Sequence, residues 1–150
     1  MTKTVNHVVT VEFGDCDPAR IVWFPNFFRW IDAASRHFFV ACGVPQWQET
    51  ARTLGVIGTP LVATKSRFIK TASFGDVLDI AVTITEWRNA SFVQTYRITR
   101  ANASGEPDLI MECEEVRIFA AKREVSGDGD GGKPGIRAVP APESIRRLCE

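Results

Sequence analysis

A chain of 150 residues, 45% hydrophobic, 24% charged and 10% aromatic, is sized for one domain that buries its own core without disulfide staples. Lys plus Arg and Asp plus Glu both number 18, so the formal net charge is zero, without the basic excess of a general nucleic-acid or membrane-surface binder. No stretch approaches the roughly 18 apolar residues that span a bilayer, and MTKTVNHVV carries no apolar signal core, so the expectation is a cytoplasmic protein with reduced thiols.

Val5, His7, Val9, Val11 and Phe13 alternate with mostly polar neighbours, which predicts a first strand with one buried face that breaks at Gly14-Asp15. Phe27, Trp30, Ile31, Ala34, Phe38 and Ala41 then recur at helical spacing. They predict a helix from Phe24 to Cys42, stopped by Gly43 and about 28 Å long at 1.5 Å per residue. Phe28, Phe39 and Val40 add apolar surface on other faces, so the helix is expected to be enclosed over much of its circumference.

VPQWQETARTLG reads as a short helical or irregular piece. Four strands follow: Pro60 to Ile69, Val77 to Trp87, Ser91 to Arg100 and Leu109 to Ala121. Their separators, SFGD, RNA and NASGEPD, are turn chemistry, and short turns between successive strands imply antiparallel pairing. Residues 125–135 read as a flexible loop. The run is Gly- and Asp-rich, but lacks the terminal glutamate of a calcium-binding loop. Ile136 to Val139 predicts a last short strand and PESIRRLC a terminal helical turn. One long helix with about five to six antiparallel strands makes an α+β fold, and the open sheet edges call for a partner subunit.

The chemistry concentrates where the first strand meets the helix. Asp17 lies in the loop entering a helix N-terminus, whose free N–H groups and dipole favour negative charge. Such a carboxylate can cap the helix, or it can attack, or activate water against, a carbonyl whose oxyanion rests on those N–H groups. The residues alone leave both open. Asp15, beside Gly14, reads as a turn residue. Cys16 with His37 as its base is a third arrangement, opposed by His37 lying several turns along the helix. His7 reads as a strand residue with a hydrogen-bonded ring. The four cysteines fit no metal-ligand spacing, and two histidines are too few for a multi-histidine metal site.

The segment FGDCDPARIVWFPNFFRWIDAASRHFF is similar to the active-site loop and central helix of the 4-hydroxybenzoyl-CoA thioesterase family, enzymes of the hotdog fold. CGVPQW, GVIGTPLV, DVLDI, EWRNASFVQ and EEVRIFA follow in matching order, so the resemblance covers the chain to about Ala121. It implies a single hotdog domain over residues 1–150, with the curved sheet wrapped on the helix. It further implies a homodimer that extends the sheet, assembled as a tetramer (a dimer of dimers), and a site at the subunit interface.

The implied reaction is hydrolysis of an aromatic acyl-CoA, 4-hydroxybenzoyl-CoA or similar, to carboxylic acid and CoA. Asp17 would be the essential carboxylate and the Phe24 backbone N–H the thioester-oxygen donor. No metal or redox cofactor takes part, CoA entering only as part of the substrate. Trp23, Trp47 and Thr59 are candidate acyl contacts, and Arg88 and Arg20 candidate contacts to the rest of the substrate. A free aspartate, with a pKa of about 3.9, is ionised at neutral pH, and a thiolate whose thiol has a pKa of about 8.5 leaves readily, so no histidine is needed. Four positions depart from the family pattern: Arg20 stands where glycine is common, Phe24 replaces a tyrosine, and Asn89 and Ala90 replace basic residues after Arg88. Phe24 leaves a backbone donor unchanged, but Arg20 and the missing basic pair keep in view an acyl-CoA-binding protein without activity; a thioesterase for short aliphatic acyl groups is a further alternative. CoA phosphates could also be met by Lys65, Arg67, Lys70 or Arg123.

Overall fold

The computed structural model describes residues 2–123 and 135–150. The expected loop at 125–135 lies outside the described residues, except for Gly135, which opens the last strand.

In chain order the elements are β1 (Thr4–Thr10), a 3₁₀ turn (Phe13–Asp15), α1 (Pro25–Ala41), α2 (Trp47–Thr53), β2 (Leu61–Phe68), β3 (Val77–Trp87), β4 (Ser91–Arg100), β5 (Asp108–Arg123), β6 (Gly135–Val139) and α3 (Glu143–Cys149). All strand pairs are antiparallel, in the order β1-β3-β4-β5-β2, with β6 continuing on β5 beyond the end of β2. This is the α+β arrangement expected, with β1 and β2 at the two edges.

One face of the sheet carries the core. Leu78, Ile80, Val82 and Ile84 of β3 alternate inward, as do Phe92, Tyr96 and Ile98 of β4 and Met111 and Cys113 of β5. Against them α1 lays Phe27, Trp30, Ile31, Ala34, Phe38 and Phe39, all buried. Pro25 at the first helical position needs no N–H acceptor, and Gly43, at φ 84°, ends the helix in the left-handed conformation.

Two expected core positions are corrected. Phe13 is 80% exposed, because Glu12 and Asp15 bond each other's backbone and turn the chain out of the strand after Val11. Its ring meets Phe74 edge-on, at 6.0 Å. Ala41 is exposed, because the apolar stripe drifts at 3.6 residues per turn and leaves the helix through Phe38 and Cys42. Val40 is exposed as well, so the helix is buried along one broad stripe rather than around most of its girth.

Candidate active site

Residues 12–26 form a folded handle on the mouth of α1. The Asp15 carboxylate accepts the Glu12 N–H (2.8 Å) and pairs with Arg29 one helical turn on (2.9 Å). Its carbonyl accepts both the Trp23 N–H (2.9 Å) and the Asn26 side-chain amide (2.8 Å). Asp15 is therefore the turn residue expected, holding loop and helix together. The Val22 N–H donates to the Ala72 carbonyl (2.8 Å), which ties the handle to the segment ahead of β3. That segment is anchored in turn by Arg100, whose guanidinium reaches Asp76 (2.9 Å), Asp108 (3.1 Å) and the Thr71 carbonyl (3.1 Å). Hydrogen bonds from Lys70, Arg100 and Asn102 hold the Asp108 carboxyl down to about 2.

Within the handle, Cys16 and Val22 bridge antiparallel and the chain reverses over residues 17–20. The Asp17 N–H donates to the Ile21 carbonyl and the Arg20 N–H to the Asp17 carbonyl, both at 2.9 Å. Arg20 sits at φ 66°, the only non-glycine residue with positive φ among the described residues. This is the pattern of a three-residue hairpin loop that ends on a left-handed position, normally a glycine's.

Asp17 is half-buried. Its Oδ1 accepts the Ala19 N–H at 2.8 Å, an Asx-type bond that fixes the carboxylate against its own loop. Its Oδ2 makes no hydrogen bond among the described residues. Two residues past the bridge lies Phe24, the N-cap of α1, whose N–H likewise finds no acceptor there, although its carbonyl receives the Phe27 N–H (3.1 Å). A half-free carboxylate and an unpaired amide thus share the mouth of the helix.

Two of the cavities that flank α1 border its first three turns. A smaller one, 270 Å³, lies beside this mouth, between Phe24, Phe27, Val22 and the segment 68–72. A larger one, 720 Å³, is bounded by Phe28, Asp32 and Ser35 of α1, Trp47 of α2, the loop at 58–60, and Glu115 and Arg117 of β5. Both Trp47 and Thr59 line the larger cavity, and Phe24 the smaller. Asp17, Arg20, Trp23 and Arg88 line neither. Trp23 is 55% exposed. Arg88, at the β3–β4 turn, is forked onto Glu86 at 2.8 and 3.1 Å. Arg67 and Lys70 are ion-paired with Glu112 and Asp108.

The polar wall of the larger cavity was not anticipated. Arg117 is buried beside Glu115, with Nε to carboxylate at 2.7 Å. Burial alone would lower the guanidinium's pKa, but the Glu115 hydrogen bond and the neighbouring charges hold it raised. Tyr96 lies between Glu115 and Gln94, its hydroxyl 2.8 Å from an oxygen of each, and Ser35 reaches Gln94 at 2.7 Å. Burial and then the Glu115 charge push the Tyr96 phenol's pKa up. One phenol proton cannot serve two acceptors. With the Gln94 amide turned over, its otherwise unpartnered buried Nε2 donates to both hydroxyls and leaves the Tyr96 proton to Glu115.

Cys16 does not face His37. Its Sγ points at the Glu12 carbonyl (3.9 Å), while the His37 ring lies 5.0 Å from that of His7. The expected hydrogen bond on the His7 ring is not found among the described residues. Burial, and then the charge of His37, lower the His7 pKa. Among the described residues no three His, Cys, Asp or Glu side chains cluster as metal ligands, and no helix is long and apolar enough to cross a membrane.

A family model described as the thioesterase-like superfamily matches residues 11–148. The 4-hydroxybenzoyl-CoA thioesterase of Pseudomonas sp. (strain CBS-3) is 43% identical over 149 residues, 99% of each chain. A crystal structure of an aspartate-to-asparagine mutant of 4-hydroxybenzoyl-CoA thioesterase, complexed with 4-hydroxybenzoyl-CoA, is 41% identical. It superposes with a TM-score of 0.87 over 98% of this chain and 99% of that one. A gentisyl-coenzyme A thioesterase structure, 26% identical, gives a TM-score of 0.73 over 97% and 98% of the two chains.

Proposed function

From a chain that belongs to the thioesterase-like superfamily, we propose an enzyme that hydrolyses an aromatic acyl-CoA, 4-hydroxybenzoyl-CoA or a close analogue, to the carboxylic acid and free CoA. The observation that carries the reading is the loop into α1, where Asp17 keeps one carboxylate oxygen uncommitted next to the Cys16–Val22 bridge and the Phe24 amide, two residues past that bridge, is unpaired among the described residues. A relative 41% identical was crystallised with 4-hydroxybenzoyl-CoA as an aspartate-to-asparagine mutant, which supports a carboxylate as the reacting group.

Asp17 acts on the thioester carbon while the Phe24 N–H, at the positive end of α1, takes the charge that develops on the oxygen. Two routes use this geometry. In one, Oδ2 attacks the carbonyl carbon, the C–S bond breaks, CoA leaves as thiolate, and water then cleaves the mixed anhydride. In the other, Oδ2 takes a proton from a water that attacks the same carbon, and the C–S bond breaks as before.

The acyl ring is assigned to the larger cavity, whose 720 Å³ falls within the range of small-ligand sites and which offers the Trp47 ring and Thr59. Arg20, exposed on the reactive loop, and Trp23 are assigned to the CoA side of the substrate. Arg88 joins them once its guanidinium is released from Glu86. The protein works as a cytoplasmic homodimer or dimer of dimers. Edge strand β2 supports the pairing, because Leu61, Val62 and Phe68 are exposed along it.

The test is thiol release from a panel of 4-hydroxybenzoyl-, benzoyl-, phenylacetyl- and aliphatic CoA thioesters. The reading predicts turnover highest with the hydroxylated aromatic acyl group. Binding without thiol release across the whole panel would make the chain a binding protein instead.

A further inference from the structure

We propose that Arg117 is a positioning residue that sets the shape of the acyl cavity by holding three separate chain segments at fixed distances. The proposal rests on the thioesterase reading above and adds to it the element that makes the cavity selective.

The guanidinium uses each of its three nitrogens on a different part of the molecule. Its Nε donates to Glu115 of β5 (2.7 Å), Nη1 to the Thr59 carbonyl in the loop at 58–60 (2.9 Å), and Nη2 to Asp32 of α1 (3.1 Å). Those three segments form three of the cavity walls. The planar fork suits this, since its donors leave three nitrogens in fixed directions, whereas an ammonium's three rotatable donors all leave one nitrogen. Beyond Glu115 the contacts run on through Tyr96 and Gln94 to Ser35, and so return to α1 three residues from Asp32. The cavity is therefore framed by a closed polar ring that starts and ends on the helix.

The buried ion pair in this ring is not by itself a stabilising element. Glu115 and Arg117 are 3% and 5% exposed, so both charges are stripped of water, and buried ion pairs of this kind are commonly replaced by apolar residues of similar volume at no loss. The Asp32 end contributes little, its side chain being 71% exposed. What apolar residues could not reproduce is the set of directed bonds to the Thr59 carbonyl and to α1. Without them the loop at 58–60 keeps its ladder bonds to β5 (Ala120 N–H to the Gly58 carbonyl, 3.1 Å; Ile118 N–H to the Pro60 carbonyl, 3.2 Å) but loses its tie across the cavity.

Two variants test the role, Arg117→Lys and the double variant Arg117→Met with Glu115→Leu, which removes both buried charges together. The measurements are kcat and KM with 4-hydroxybenzoyl-CoA, the inhibition constant of desulfo-CoA, which has no acyl group, and the melting temperature. The double variant is expected to melt close to the wild type and to raise KM about 10-fold with kcat within roughly threefold, the signature of acyl binding lost equally from the ground state and the transition state. Inhibition by desulfo-CoA is expected to stay unchanged. Arg117→Lys is expected to raise KM in the same direction. An unchanged KM in the double variant overturns the proposal. So does a parallel rise in KM and in the desulfo-CoA constant, or a double variant that no longer folds, since either makes Arg117 a general stability element. A wild-type chain that releases no thiol overturns the underlying reading, and the proposal with it.

Discussion

Replacing Arg20 with glycine should make the protein more stable, and the size of the gain follows from one dihedral angle. Arg20 closes the loop that carries Asp17, at φ 66°, and makes no ion pair among the described residues. Holding an L-residue in the left-handed region costs about 1–2 kcal/mol. Glycine removes that cost but gives back about 0.5–1 kcal/mol through its greater freedom in the unfolded chain. The net gain is about 0.5–1 kcal/mol, which for a chain of this size raises Tm by roughly 1–4 °C. Arg20→Ala is the control. It deletes the same side chain but keeps the Cβ and the strain, so it should stay within about 0.5 kcal/mol of wild type. Urea unfolding of the three proteins measures the difference. If the glycine and alanine variants are equally stable, the backbone argument is wrong. A gain in stability accompanied by a higher KM for CoA thioesters would show that the arginine is kept in a strained position for the substrate's sake.

Phe24→Pro removes the proposed oxyanion donor together with the ring, at a residue that already sits at φ −53° and whose N–H binds nothing among the described residues; kcat should fall by roughly 10²–10³-fold below that of the control Phe24→Ala, which loses the ring but keeps the N–H, with the fold retained by circular dichroism. The Asp108 carboxyl has a folded pKa of about 2 against an ordinary 3.8, so its stabilising effect is complete above about pH 4 and is lost as pH falls through about 2. Asp108→Asn should therefore lower Tm at pH 7, with the gap to wild type closing between those two pH values in a melting series. Val62→Lys places a charge on the exposed edge strand β2 and should shift the protein toward monomer in size-exclusion chromatography, with activity falling in parallel if the site is completed across the interface.

How much of this could be read without coordinates differs from residue to residue. The bounds of β3 and β4 coincide with the expected ones because RNA and NASGEPD are strong local turn signals on a period-2 background. The start of α1 was legible from Pro25 and its stop from Gly43, both backbone effects confined to a few residues. Phe13 was misplaced because an alternating pattern cannot register that Glu12 and Asp15 bond each other and end the strand three residues early, at Thr10. The pairing of Asp15 with Arg29 and the strain at Arg20 depend on loop geometry, which composition does not encode, although the unexpected arginine itself flagged the position. The largest omission was Arg117 with Glu115. A signal existed: in MECEEVRIF both charges occupy the same alternating register as Met111 and Cys113. The alternation alone does not say what such charges bond, however, because the contacts of Arg117 join segments 58 and 85 residues distant.

The most direct test of the central claim is the rate of thiol release from 4-hydroxybenzoyl-CoA by Asp17→Asn. The substitution keeps the Oδ1 that accepts the Ala19 N–H, so the loop should hold and Tm should stay near wild type. The account predicts that turnover falls by at least about 10²–10⁴-fold. An Asp17→Asn enzyme that releases CoA at near the wild-type rate would contradict it.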